Sequence, residues 1–353
     1  MNTYKIALYP GDGIGVDVTD AAADVLRAVA EKHGDFALDF TRFDWGIRYY
    51  EAHGEVAPPD FLEQLRPFDA IFLGALGWPE KLPDNVTLKP LITMRQAFDQ
   101  WACVRPARTF AGVPTPLRTT EPIDMIVVRE NSEGEYVDNG GRFRRGFSDE
   151  FAVQTALHTR RGIERALRFG FELAKKRRRR LTMVTKSNAQ RYGYTLWDDV
   201  LETLKPEFAD VEVDKQHIDA ISMNFVRRPA FFDVVVGSNL FGDILTDLSG
   251  AITGSLGLNP SANLNPEREA PSLFEPVHGS APDIAGQGIA NPAGAILAAG
   301  MMLEWLGEAK AAAAITRAVE SVLARGVRTP DLGGECSTAA FTDSVIEALS
   351  AEA

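Results

Sequence analysis

Short apolar strand-like runs alternate with stretches of helical apolar spacing through the first third of this chain, and no other feature narrows its fold as much. Residues 4–9 read as a buried strand, Pro10-Gly11-Asp12-Gly13 breaks it, and residues 16–31 carry apolar side chains at helical intervals. Residues 36–43 and 69–73 are further strand candidates, with helical stretches between them. Such alternation implies a largely parallel, doubly wound α/β layer. A chain of 353 residues exceeds what one core usually takes, so two lobes are expected. From residue 101 to about 249 the strand-like pieces 123–128, 181–184, 211–215 and 233–236 are interrupted by a Gly- and Arg-rich loop at 140–146. Residues 250–292 are rich in Asn, Pro and Gly and poor in regular pattern, and alanine-rich helices follow over 293–325. With no linker and no repeat, the lobes are expected to share a sheet or to cross over twice.

Candidate chemistry begins with Gly11-Asp12-Gly13-Ile14-Gly15, which follows a strand and opens a helix. A dinucleotide fingerprint needs a third glycine where Val16 stands, so the cluster reads as a tight strand-to-helix turn. Asp243 and Asp247 are more telling. They lie four apart directly after the strand 233–236, and on a helix that spacing stacks both carboxylates on one face. Adjacent like charges are unfavourable without a cation between them, and oxygen-only ligation suits magnesium or manganese. A solvated acidic helix face is the alternative. Asp219 is a third candidate ligand that sequence spacing alone cannot bring to the same ion.

The formal charge of −12 means that an anionic substrate must be held by a locally basic pocket. Arg95, Arg105 and Arg129 offer one, because the planar guanidinium fork matches a carboxylate; singly, each also reads as a surface ion-pair residue. Lys186 follows the strand 181–184 and is placed for the C-terminal sheet edge, where α/β sites gather. Tyr136 offers a phenolic proton. An ordinary surface lysine and a core tyrosine are the alternatives. The acidic balance also argues against a nucleic-acid-binding body, and the basic run 175–180 reads as a solvated helix end following a helix over 162–174. Only Cys103 and Cys336 occur, which fits a reducing cytoplasm. No apolar run approaches the roughly 20 residues a membrane-spanning helix needs, and the strand pattern starts at residue 4 without room for a leader. A cytoplasmic protein without membrane or nucleic-acid partners is expected.

Seven segments in order carry a resemblance over nearly the whole chain: residues 10–15, 73–79, Arg95 to Arg105-Pro106, 128–136, 185–188, 239–247 and 275–292. They resemble the β-decarboxylating dehydrogenases, a family that includes isocitrate, isopropylmalate, homoisocitrate and tartrate/D-malate dehydrogenases. The resemblance implies a two-lobe α/β fold of the isopropylmalate-dehydrogenase type, not a dinucleotide Rossmann fold. A large lobe of residues 1–100 plus 253–353 would bind the cofactor; a small lobe of residues 101–252 would build a homodimer with the active site shared between subunits. It implies that Asp243 and Asp247 ligate Mg2+ or Mn2+, with Asp219 from the partner. Arg95, Arg105 and Arg129 would clamp substrate carboxylates. Lys186, also from the partner, would take the hydroxyl proton, and Tyr136 would protonate the enol after carbon dioxide leaves. His278, Gly279, Ser280, Ala281 and Asp283 resemble the adenosine loop, with Asp283 favouring NAD over NADP. Glu275, Asn291 and Asn188 complete the cofactor set.

Substrate choice rests on the residues before Arg95. Isocitrate enzymes usually place a serine where Lys89 stands, and isopropylmalate enzymes a glutamate where Leu88 stands, whereas Leu91 and Ile92 keep an apolar pair. Phe43-Asp44-Trp45-Gly46 with Tyr49-Tyr50, residues 68–75, Gly77-Trp78-Pro79, Phe98-Asp99-Gln100 and residues 261–268 resemble the tartrate/D-malate branch. That branch usually has Trp-Gly where Leu88-Lys89 stands. The expectation is therefore NAD- and metal-dependent oxidation, with decarboxylation, of D-malate or tartrate. 3-Isopropylmalate is the alternative substrate, and a non-catalytic regulatory subunit the alternative class.

Overall fold

The computed structural model describes residues 2–118 and 121–351. Its strands are β1 (Asn2–Gly11), β2 (Phe36–Arg42), β3 (Ala70–Ala75), β4 (Ala102–Arg108), β5 (Asp124–Glu130), β6 (Gly140–Phe143), β7 (Phe151–Gln154), β8 (Arg180–Thr185), β9 (Glu212–His217), β10 (Val234–Gly237), β11 (Pro260–Leu264) and β12 (Ser272–Pro276). Ten join in one sheet of order β2-β1-β3-β12-β11-β4-β5-β10-β8-β9, while β6 and β7 form a separate antiparallel hairpin. Neighbours run parallel on both wings. Only the central pairs β12–β11, β11–β4 and β4–β5 run antiparallel. The expected parallel-rich α/β architecture is the observed one.

Apolar sequence dictates the layers. The continuous run Val234-Val235-Val236 is wholly buried, as a strand covered on both faces requires. One apolar cluster packs the helices Gly15–His33, Ala293–Leu306, Ala309–Ala324 and Thr338–Ala351 through Val18, Leu26, Leu303, Ile315 and Phe341, against sheet residues such as Phe274. A second joins Leu167, Phe171, Met183, Trp197 and Val235 on the other wing. A third gathers Tyr9, Trp45, Leu73, Met94 and Phe98. Among the described residues no helix is long and apolar enough to cross a membrane.

Two expectations fail at element level. Residues 140–146 are not simply a loop, since Gly140–Phe143 pairs with Phe151–Gln154 as a hairpin. The pattern-poor stretch 250–292 holds β11 and β12, in the middle of the sheet. Asn, Pro and Ser disfavour strands intrinsically, and here tertiary pairing overrides that preference. The basic run is also more engaged than a solvated helix end. Arg177 donates to Asp233 at 2.8 Å and to Asp124 at 2.9 Å, and Arg180 donates to Glu212 at 2.6 Å.

Candidate active site

Ser238 begins a turn off β10, in extended backbone, and the helix Asn239–Thr253 starts immediately after it. Asp243 and Asp247 therefore project one turn apart at the C-terminal end of a buried strand. Asp243 is the convergence point. Its Oδ1 accepts from Arg129 and, at 3.4 Å, from Arg105; its Oδ2 accepts from the Tyr136 hydroxyl at 2.9 Å. Arg129 is 1% exposed, lies at the end of β5, and also donates through Nε to Asn239 Oδ1 at 2.9 Å. Arg105 donates to Thr246 at 2.8 Å and to Ser261 at 3.2 Å. Arg95, near the end of the helix Lys89–Ala97, donates to Glu275 at 2.9 Å, and among the described residues its buried Nε has no acceptor.

The electrostatics follow from this crowding. Burial pushes the Asp243 carboxyl up, but the guanidiniums of Arg129 and Arg105 and the Tyr136 hydroxyl outweigh it and hold it below the ordinary range. The Asp247 carboxyl, although exposed, is pushed up by partial desolvation and then by the Asp243 charge beside it. Burial, reinforced by Asp243, raises the Tyr136 phenol, which keeps its proton at neutral pH. A cation between the two carboxylates would relieve their repulsion, and all the donors are oxygen, so the pair fits a hard divalent ion. Among the described residues no third acid, His or Cys joins them.

Lys186 and Asp219 are elsewhere. Lys186 Nζ donates to Asp219 Oδ1 at 2.8 Å, at the adjacent ends of β8 and β9. Among the described residues neither forms a bond or ion pair with the Asp243 group. Asn188, two residues beyond Lys186, is exposed. Of the apolar pair, Leu91 packs partly against the Tyr9–Trp45 cluster, whereas Ile92 joins none of the clusters. Lys89 is exposed in a groove with Tyr50, Glu55 and Phe61.

The segment from His278 to Asp283 docks on the glycine turn. Ile14 N donates to Ser280 O at 2.8 Å, and a Cβ on Gly13 would lie 2.0 Å from that oxygen. Gly13 thus serves close backbone approach as well as the positive φ of +56°. His278 Nε2 is buried without a partner, Gly279 is open to a visitor, and the exposed Asp283 carboxylate has no partner among the described residues. Ala281 lies beside them at φ +35°. Asn291 Nδ2 donates to Asp331 at 3.0 Å. A loop with free polar groups and a bare glycine suits a dinucleotide's adenosine end.

Sequence reasoning misses a buried polar chain beneath the arginines. Asn263 donates to Glu275 at 2.8 Å, and Asn131 donates to Asn263 at 2.9 Å and to Gln100 O at 3.1 Å. Glu275 thus orients Arg95 besides standing near the cofactor loop. Polar residues in a run too irregular to read as a strand are the only signal the sequence holds for it.

Comparison with known proteins agrees with this arrangement. Residues 5–349 match the isocitrate/isopropylmalate dehydrogenase family. The chain is 47% identical over 350 residues to a probable tartrate dehydrogenase/decarboxylase of Bacillus subtilis (strain 168), covering 99% of each. It is 48% identical over 359 residues to the decarboxylating D-malate dehydrogenase of Escherichia coli (strain K12), again covering 99% of each. Among solved structures, isocitrate dehydrogenase from Methylococcus capsulatus superposes with a TM-score of 0.88 at 37% identity, covering 98% of this chain and 99% of that one.

Proposed function

The chain belongs to the isocitrate/isopropylmalate dehydrogenase family, and from that premise we propose that it oxidises and decarboxylates D-malate or tartrate with NAD and Mg2+ or Mn2+. The observation that carries the reading is the Asp243 carboxylate, on which the buried Arg129 and Arg105 guanidiniums and the Tyr136 phenol all end. Arg95, Arg105 and Arg129 bind the substrate carboxylates, exchanging their internal acids for the ligand's. Lys186 of a second copy accepts the proton of the substrate hydroxyl as C2 is oxidised. Tyr136, held as a phenol, delivers a proton to the carbon that loses carbon dioxide. Asp243 and Asp247, with Asp219 of the second copy, hold the cation, which when bound supplies Lewis acidity at the hydroxyl and the new carbonyl. His278, Gly279, Ser280, Ala281, Asp283, Asn291, Glu275 and the second copy's Asn188 hold NAD, the hydride acceptor.

Leu88, Leu91, Ile92 and Arg95 share the i, i+3, i+4, i+7 face of their helix, so Leu88 rather than Lys89 belongs to the substrate side. A homodimer is part of the same proposal, supported by Phe147 at 66% exposure beside the hairpin and by exposed Met223, Val226 and Ile244. So is a division into residues 1–100 plus 253–353 and residues 101–252, supported by an apolar cluster drawn wholly from the second of these. Cytoplasmic placement is supported by both cysteines being free thiols. The test is NADH formation with Mn2+ for D-malate, tartrate, 3-isopropylmalate and isocitrate at equal concentrations. D-malate or tartrate is expected to give the highest kcat/KM. A clear win for 3-isopropylmalate or isocitrate overturns the substrate assignment.

A further inference from the structure

Lys186 and Asp219 stand on separate elements, yet under the proposed function, on which this inference rests, both must reach the second copy in one geometry. Asp198 lies in the middle of the helix Gly193–Leu204, too far from its first turn to cap it. Its polar partners all lie off that helix. Oδ1 accepts from Thr185 Oγ1 at 2.8 Å, and Oδ2 accepts from Ser187 Oγ at 2.8 Å and from Lys215 Nζ at 2.8 Å. Thr185 and Ser187 flank Lys186. Lys215 sits on β9, four residues before Asp219. The strands pair in register, Met183 with Lys215 and Thr185 with His217, so the two segments leave the sheet side by side. The Lys186 carbonyl in turn accepts from Ala189 N at 3.0 Å and Gln190 N at 2.9 Å, closing the loop.

We infer that Asp198 is a positioning residue that locks Lys186 and Asp219 into one rigid pair for presentation to the second subunit. Two hydroxyl bonds fix the backbone on either side of Lys186, and the ion pair to Lys215 ties that loop to the strand leading into Asp219. The carboxyl stays charged in this setting. Burial pushes it up, but Lys215, Ser187 and Thr185 outweigh this and keep it ionised. Three hydrogen bonds to one charged group are far more directional than apolar packing around a flexible lysine. Displacement of a reacting group by about 1 Å is enough to cost ~100-fold in rate.

The test compares Asp198→Ala, Asp198→Asn and Lys186→Ala in the intact oligomer, measuring kcat, KM for NAD and for D-malate, and Tm. Asp198→Ala is expected to lower kcat by about 10- to 100-fold with a much smaller rise in KM for NAD, because of the cofactor-binding set only Asn188 leaves the same loop. Asp198→Asn, whose amide oxygen keeps one hydroxyl partner, is expected to recover part of that loss. A kcat for Asp198→Ala within about 2-fold of the unaltered enzyme overturns the proposal. So does a loss that Asn does not lessen and that raises KM for NAD in parallel. If Asp198→Ala does not fold, the isosteric Thr185→Val decides, with a several-fold kcat loss expected and an unchanged kcat overturning. Lys186→Ala separates the underlying reading. An undiminished kcat there refutes the role of Lys186 itself, whatever Asp198 does.

Discussion

Asp243 shows how one side chain sets the state of its neighbours. Arg129, almost wholly buried, has Asp243 and Asn239 as its acceptors. Removing one partner of a buried pair typically costs about 3–5 kcal/mol. Asp243→Asn keeps the shape and removes the charge, so it should weaken Mn2+ binding at least ~10-fold and abolish NADH formation. Titration calorimetry with Mn2+ checks the first effect, and turnover that persists with a chelator sinks the assignment. The sign of the pH effect follows from its lowered carboxyl: the stabilisation from Asp243 is present above the ordinary carboxylate range and fades as pH falls through it. Asp247, raised instead, opposes this: its contribution disfavours the fold above the ordinary carboxylate range and is relieved as pH falls. At this scale much is legible in sequence. Asp247, Arg95, Arg105, Arg129 and Tyr136 do lie within electrostatic reach of Asp243. Asn263, Asn131 and Asp198 are not legible, because a buried polar residue has no periodicity and gains meaning only from partners distant in sequence.

Elements with strong apolar runs are readable, and elements defined by their neighbours are not. β1, β5, β8 and β10 follow from β-branched and aliphatic stretches, whereas β11 and β12 are strands because the sheet centre pairs them. Their polar side chains are satisfied there by one another, as with Asn263 and Glu275. The glycine turn between β1 and its helix illustrates a related point, since its residues alone mark a tight turn. What they cannot disclose is the place of Asp12, whose buried carboxylate accepts from Ile47 N at 2.7 Å and Gly77 N at 2.9 Å. One side chain thereby staples three loops beside the segment that carries Ser280. Asp12→Ala leaves two buried N–H groups without acceptors, at about 1–3 kcal/mol each. A lower urea midpoint at fixed protein concentration and a raised KM for NAD are expected. An unchanged midpoint and KM together would falsify the staple.

At the scale of the whole molecule, strand–helix alternation is enough to anticipate a parallel-rich α/β layer, but not its three antiparallel pairings in the centre. Nor is the proposed sharing of a site between copies legible from spacing, since it depends on what a single chain fails to bring together. Lys186 pairs with Asp219 rather than with the Asp243 group. Exposed Phe143, Phe151 and Val153 lie on a two-stranded hairpin, and such a hairpin is marginal alone and calls for a covering surface. These facts lead to a test of assembly. Lys186→Ala and Asp243→Asn are each expected to be inactive as homodimers. If subunits are mixed, unfolded and refolded together, half the dimers are hybrids. In each hybrid one site combines the intact Asp243 of one copy with the intact Lys186 of the other, while the second site carries both substitutions. Activity should return to about a quarter of the unaltered enzyme's, with isologous C2 pairing assumed. No recovery, with hybrid dimers demonstrated by mass, would mean that each chain completes its own site. Lys186 and Asp219 would then have to reach Asp243 by a rearrangement within one subunit.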